Sequence, residues 1–226
     1  YYQFRNQDLV GTKAKDLEFK PGNFDYSQIG VRLGGPILKD KLFFFFSFEA
    51  DKYAEPGTTF LANTGGQTAT GVTTRVLASE LDALSSFLQS KFGYATGPYQ
   101  GYDHETPATR FLAKFDYNLD DNNKISLRYT HLDSKTDVLA SNSSSLGFGN
   151  RRSSNTALNF QNSNYQIKEN IRSKVLEWNS TISANMSNSL ILGYSYSDES
   201  RDSRGSMFPF VDILKDGATY TTFGFE

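Results

Sequence analysis

An all-β chain, whose antiparallel strands cross a membrane as one segment of a barrel wall, is the fold class this sequence predicts. Three observations predict it. Segments of about 9 to 11 residues alternate apolar and polar side chains, which is the length a tilted spanning strand needs. The connections between them run long, short, long, short, an order that suits a membrane barrel and that a Greek-key sandwich has no reason to keep. Aromatic residues reach 15% of the chain while mean hydropathy stays at -0.50, as expected when only alternate strand residues face lipid and long loops dilute the average.

Taken in order, Tyr1 to Gln7 reads as the end of a strand, with Tyr2 and Phe4 opposite Gln3 and Arg5. Asp8 to Phe24 is polar, carries Gly11 and Pro21-Gly22, and reads as a loop. Asp25 to Leu33 alternates, with Ile29, Val31 and Leu33 on one face and Gln28, Gly30 and Arg32 on the other. Pro36 to Lys41 is a short turn into Leu42–Glu49, where Phe44, Phe46 and Phe48 form the lipid stripe and Phe43, Phe45, Ser47 and Glu49 oppose them. Ala50 to Thr106 reads as a long non-strand excursion containing one short amphipathic helix. Its apolar positions are Leu81, Leu84, Leu88 and Phe92, its cap is Ser79 with Asp82, and Lys91 and Gly93 close it. Those leucines are expected to pack on the base of their own loop.

The next hairpin is the clearest. Phe111, Ala113, Phe115 and Tyr117 share one face, and Arg110, Lys114, Asp116 and Asn118 the other. After the turn Asp120-Asp121-Asn122-Asn123, Ile125, Leu127 and Tyr129 alternate with Ser126, Arg128 and Thr130. Asp133 to about Asn170, with Gly147-Phe148-Gly149-Asn150 and Arg151-Arg152, reads as a mobile Ser/Asn-rich loop. A third hairpin follows. Leu176, Trp178, Ile182, Ala184 and Met186 oppose Glu177, Asn179, Thr181, Ser183 and Asn185, and a turn at Ser187-Asn188-Ser189 leads to Leu190, Leu192, Tyr194 and Tyr196. Beyond Asp198 the pattern becomes irregular. The chain begins inside a β-like run and stops at Phe223-Gly224-Phe225-Glu226, so it is expected to be an internal fragment of a longer protein.

Composition narrows the function classes. No run approaches the roughly 20 apolar residues of a membrane helix. There are no cysteines and the formal net charge is -2, so neither a thiolate site nor an electrostatic footprint for nucleic acid is present. The functional candidates are the lumen-facing charges Arg32, Glu49, Arg110, Lys114, Asp116, Arg128 and Glu177, which would meet a transported ligand, other protein inside the barrel, or lumenal water. Asp120 to Asn123 lacks the glycine and bidentate glutamate of a calcium loop and reads as a solvated turn. His104 and His131 have no metal-ligand spacing, and His131 continues the outward row of Tyr129 at the membrane edge. Arg151-Arg152 is either a solvated pair or a contact for lipopolysaccharide phosphates. Trp178 and the strand-end tyrosines suit interfacial girdles. No nucleophile–base pair or phosphate loop stands out, so neither an enzymatic activity nor a cofactor or metal is expected.

The run Tyr1-Tyr2-Gln3-Phe4-Arg5-Asn6-Gln7-Asp8-Leu9 and then Gly34-Gly35-Pro36-Ile37-Leu38-Lys39-Asp40-Lys41-Leu42-Phe43-Phe44-Phe45 resembles TonB-dependent outer-membrane receptors of the Oar-like branch. The resemblance continues through Leu81-Asp82-Ala83-Leu84, Phe92-Gly93-Tyr94 and Phe115-Asp116-Tyr117-Asn118, and returns at Phe208-Pro209-Phe210-Val211-Asp212-Ile213 and Phe223-Gly224-Phe225-Glu226. It implies that residues 1–226 are the early part, about seven strands, of a barrel of about 22 strands, following a carboxypeptidase-regulatory-like domain and a plug. It implies uptake of a scarce or bulky ligand, with the plug of the same chain, the TonB complex, outer-membrane lipid and lipopolysaccharide as partners. The TonB-contacting box, the plug and the closing C-terminal strand do not lie in these residues. A passive porin or adhesive outer-membrane barrel is the alternative from pattern alone, and a soluble secreted glycan-binding β protein the third.

Overall fold

In the computed structural model, which describes residues 1–15, 17–18, 22–142 and 151–226, seven strands hydrogen-bond into one sheet. They are β1 (Tyr2–Asn6), β2 (Asp25–Leu38), β3 (Leu42–Pro56), β4 (Asp103–Asn118), β5 (Asn123–Val138), β6 (Tyr165–Ser183) and β7 (Met186–Ser203). Every neighbouring pair is antiparallel and spatial order follows chain order, so the sheet is an up-and-down meander. β1 and β7 each leave one long edge without a strand partner among the described residues, as a segment of a larger wall would.

The register aligns the apolar halves of every strand on one face. Val31 stands opposite Phe48 and Phe48 opposite Phe111; Leu33, Phe46 and Ala113 form the next row. Phe115, Leu127, Leu176 and Leu192 continue across β4 to β7, beside the row Ile125, Trp178 and Leu190. These side chains have little behind them on that face: Val31 and Leu33 are both 61% exposed, and Leu192 is 56% exposed. A protein core would cover them, so this is the lipid face. Trp178 stands beside the turn between β4 and β5, where its indole Nε1 donates to Asn123 Oδ1 at 3.1 Å.

β6 runs 19 residues, nearly twice the 9 to 11 a tilted span takes. The strands therefore stand well clear of the membrane on the side away from the short turns. This corrects the sequence reading at both long excursions. β3 continues to Pro56 and β4 begins at Asp103; β5 continues to Val138 and β6 begins at Tyr165. Beyond the membrane the outward row becomes polar, as Lys168, Asn170 and Arg172, while Ile167 and Ile171 turn inward, so the membrane alternation is inverted there. β7 likewise extends to Ser203.

The turns are also adjusted. Between β2 and β3 the turn is Lys39-Asp40-Lys41, with Asp40 at φ 62°. Between β6 and β7 it is Ala184-Asn185, and Ser187 to Ser189 are strand. Pairing Trp178 with Leu190 and Thr181 with Ser187 leaves the chain no later place to reverse. The turn at Asp120 to Asn123 is as expected: the Asp120 carboxylate accepts the Asn122 N–H at 2.8 Å and the Asn123 amide at 2.9 Å. In the expected loop 8–24, a 3₁₀ turn at Gln7–Leu9 and a two-residue ladder of Lys13–Ala14 with Leu17–Glu18 are present; Pro21 lies outside the described residues.

The chain's buried core lies above the wall, in the long connections. Helix α1 (Ala78–Phe92) follows the short strand Thr73–Leu77, which pairs in parallel with Leu61–Asn63. A separate hairpin joins Val211–Lys215 to Ala218–Phe223. Leu81 and Leu88 of α1 pack with Leu158 and Phe160 from the stretch between β5 and β6 and with Tyr220 and Phe223 from the stretch after β7. The helix packs on Ala62, Val76 and Tyr94 of its own loop and also on residues from outside it, and 151–164 is no mobile tract, because Ala157, Leu158 and Phe160 are fully buried. Gly147 to Asn150 lie outside the described residues. Ser79 does not cap α1: the helix starts at Ala78 directly from a strand, and the Leu77 N–H is taken by the Tyr220 hydroxyl at 2.8 Å. Gly93 does end it, at φ 66° with its N–H on Gln89 O. Phe92 points away from the core, 61% exposed, against Phe87 and Phe208.

Candidate functional site

All seven charges predicted to face the lumen lie on the face opposite the apolar rows. The structure sorts them into two patches. The first is centred on Glu49, which stands opposite Gly30 on β2 and Arg110 on β4. Arg110 Nη1 lies 3.4 Å from Glu49 Oε1 and also grips Asp51, two residues further along β3. Arg32 Nη2 is 4.0 Å from Glu49 Oε2, and the Tyr1 hydroxyl donates to the same oxygen. Tyr1 can lie there because Gly30 has no side chain: a Cβ at that position would come within 2.3 Å of the Tyr1 ring.

The two carboxylates are sunk, with Glu49 and Asp51 side chains 20% and 14% exposed, while those of Arg32 and Arg110 stand out at 61% and 48%. A molecule approaching this face meets guanidinium first, with the acids behind it holding the fork in place. Exposed pairs of this kind contribute about 0–1 kcal/mol to stability, so folding alone is a weak reason for them. Beside the patch, Ser47, Leu112, Thr130, Leu132 and Ile171 line a depression of about 360 Å³ that Arg110 and Glu49 rim. Its apolar floor escaped the sequence reading, since Leu132 and Ile171 fall where the alternation inverts.

The second patch lies toward the short turns. Lys114 Nζ is 2.8 Å from Asp116, whose carboxylate also accepts the Ser126 hydroxyl at 2.8 Å. Arg128 stands directly across from Lys114, and Glu177 across from Ser126, but neither Arg128 nor Glu177 makes an ion pair among the described residues. Leu112 separates the two patches along β4.

A third polar assembly, not anticipated from sequence, ties the strand tops to the core above them. The Asn164 carbonyl accepts the Ala140 N–H at 3.1 Å, which obliges its amide nitrogen to face the other way. That nitrogen donates to His104 Nε2 at 3.1 Å and approaches the Tyr102 hydroxyl at 3.4 Å. His104 is therefore held as the neutral tautomer with Nε2 bare, and burial lowers its pKa from the ordinary value. Nearby, burial opposes ionisation of Asp137, yet Arg204, the Glu105 N–H and Gln166 all donate to its carboxylate and keep its pKa below the usual range.

Both shifts are depressions, so both contributions are complete above the ordinary pKa and lost as pH falls. For His104 that loss begins below about pH 6.5. Amide protection factors, which correct for the intrinsic slowing of exchange as pH falls, are expected to drop at residues 102–104, 140 and 162–165 between about pH 6.5 and 5. His104→Gln, whose carbonyl can accept the same bond, is expected to flatten that response; a wild-type profile without any pH dependence contradicts it.

The family model for an outer membrane beta barrel domain matches residues 1–222. Comparison with curated proteins and with solved structures found no match. A meander of seven antiparallel strands, a continuous lipid face backed by a charged one, and a family match over nearly the whole chain agree: the chain belongs to the outer membrane β-barrel domain family, and its place is the bacterial outer membrane.

Proposed function

We propose that residues 1–226 are the early barrel of a TonB-dependent receptor of the Oar-like branch, importing a scarce or bulky ligand with energy relayed by TonB and catalysing no reaction itself. The observation that carries the proposal is the core built by the stretches between β3 and β4, between β5 and β6 and after β7, in which α1, Leu158, Phe160, Tyr220 and Phe223 pack together. A passive pore needs only solvated loops at its mouth, whereas a receptor needs a rigid surface to select its ligand. In this reading the arginines of the Glu49 patch face the plug of the same chain or the ligand passing beside it, and the wall contacts lipid and lipopolysaccharide outside.

Two measurements on the whole protein test the reading together. Its capture by the periplasmic domain of TonB is expected, and proteoliposomes containing it are expected to resist swelling in small sugars. Free swelling without TonB capture would favour the passive porin. The adhesive alternative draws on Phe87 and Phe92, whose exposed rings meet edge-on at 5.9 Å, and on the exposed Met207. Cells whose surface attachment depends on these three residues, with no TonB capture, would favour it.

A further inference from the structure

On the outward face of β5, β6 and β7 the register stacks side chains in rows of defined chemistry. Above Leu127, Leu176 and Leu192 comes the row Tyr129, Lys174, Tyr194, and above that His131, Arg172, Tyr196. The following row is acidic, with Asp133 and Asp198 flanking Asn170; the next carries Lys135 and Lys168 directly opposite each other. In the two rows that adjoin the hydrocarbon, the permanent charges are both positive. Lys174 is exposed and makes no ion pair among the described residues. Arg172 is already oriented: it donates to the carbonyls of Leu132 at 2.8 Å and Ile171 at 3.0 Å and to Asp133 at 2.7 Å. Those bonds use three of the five N–H groups of a guanidinium. Tyr194 and Tyr196, 63% and 49% exposed, bring two further hydroxyls to the same level.

Lysine at a lipid-facing position extends its ammonium toward the headgroups, and a basic cluster there attracts anionic lipid. We infer that this part of the outer wall is a binding site for the phosphorylated headgroup of an outer-leaflet lipid, centred on Lys174 and Arg172 between the tyrosines. Successive outward residues on a strand are about 7 Å apart, so an ammonium and a guanidinium on such long stems can converge on one phosphate or hold two neighbouring ones. Asp133 orients Arg172 and keeps a second hydrogen bond to His131 Nε2 at 2.8 Å. It therefore limits the positive charge to these two rows. The inference rests on the membrane placement of the wall and is independent of how transport is energised.

The test is native mass spectrometry of the whole protein in detergent, titrated with bisphosphorylated lipid A and with the same lipid stripped of its phosphates. The wild type is expected to retain the phosphorylated lipid and to lose it on dephosphorylation. Arg172→Glu with Lys174→Glu is expected to weaken retention by about tenfold or more. Arg172→Met with Lys174→Met, which keeps apolar stems compatible with lipid, is expected to weaken it in the same direction and guards against a variant that fails to fold. Equal retention by wild type and both variants, or equal retention of the two lipids by the wild type, would overturn the inference.

Discussion

Leu127→Arg is expected to destabilise the membrane-inserted wall by about 2–4 kcal/mol, whereas Arg128→Ala, one residue on, is expected to cost far less. The two side chains leave the same stretch of β5 in opposite directions. Leu127 is 48% exposed on the outward face, between Phe115 and Leu176. An arginine there must either carry its charge into hydrocarbon or bend toward a headgroup, and both are unfavourable. Arg128 faces inward across from Lys114 and has no ion pair among the described residues, so its removal relieves a like-charge neighbour and leaves no acid stranded. Reversible refolding of the whole protein into bilayers, followed by denaturant titration, measures both; equal penalties would mean the two faces are exchanged.

The second large effect lies outside the membrane. Phe160→Ala is expected to cost the loop core about 3–5 kcal/mol. Phe160 is fully buried, meets the Tyr99 ring edge-on at 5.9 Å, and packs in one cluster with Leu81 and Leu88 of α1 and with Tyr220 and Phe223. Its backbone N–H also bonds Thr222 O at 3.2 Å, joining the stretch between β5 and β6 to the stretch after β7. Loss of the ring should loosen those connections together while the wall keeps its own hydrogen bonds. Hydrogen exchange is expected to rise in α1, in 157–163 and in 218–223, with β4 to β7 unchanged. A variant that loses protection only at residues 157–163 would show that the connections fold separately.

The difference between these two regions explains what could be read from the chain. Within the membrane the outward row of each strand is mainly apolar and the charges lie inward, so Phe44, Phe111, Leu127 and Leu192 reveal their face from period alone. The sorted charges Arg32, Glu49 and Arg110 follow from the same rule, although the grip of Arg110 on Asp51 depends on register and could not. Above the membrane water lies on both sides and the rule lapses. Lys168 and Arg172 outward with Ile167 and Ile171 inward carry the opposite pattern, so the membrane period alone starts β6 late. The loop core was hidden for another reason. Ala157, Leu158 and Phe160 are three apolar residues in a Ser/Asn-rich tract, and what packs on Leu158 and Phe160, Leu81 and Leu88 on one side and Tyr220 and Phe223 on the other, lies far along the chain in both directions. Gly93, by contrast, ends α1 through a local conformation, and a local signal sufficed for it.

Because the chain has no cysteine, single cysteines introduced from Ile125 to His131 can each carry one spin label in the whole protein reconstituted in bilayers. Collision with oxygen, which concentrates in lipid, is expected to peak at positions 125, 127 and 129. Collision with a water-soluble nickel chelate is expected to peak at 126, 128 and 130. A period of two in opposite phase for the two quenchers is what a membrane wall with Leu127 outside and Arg128 inside requires. Uniform nickel access at all seven positions, or the reverse phase, would contradict it.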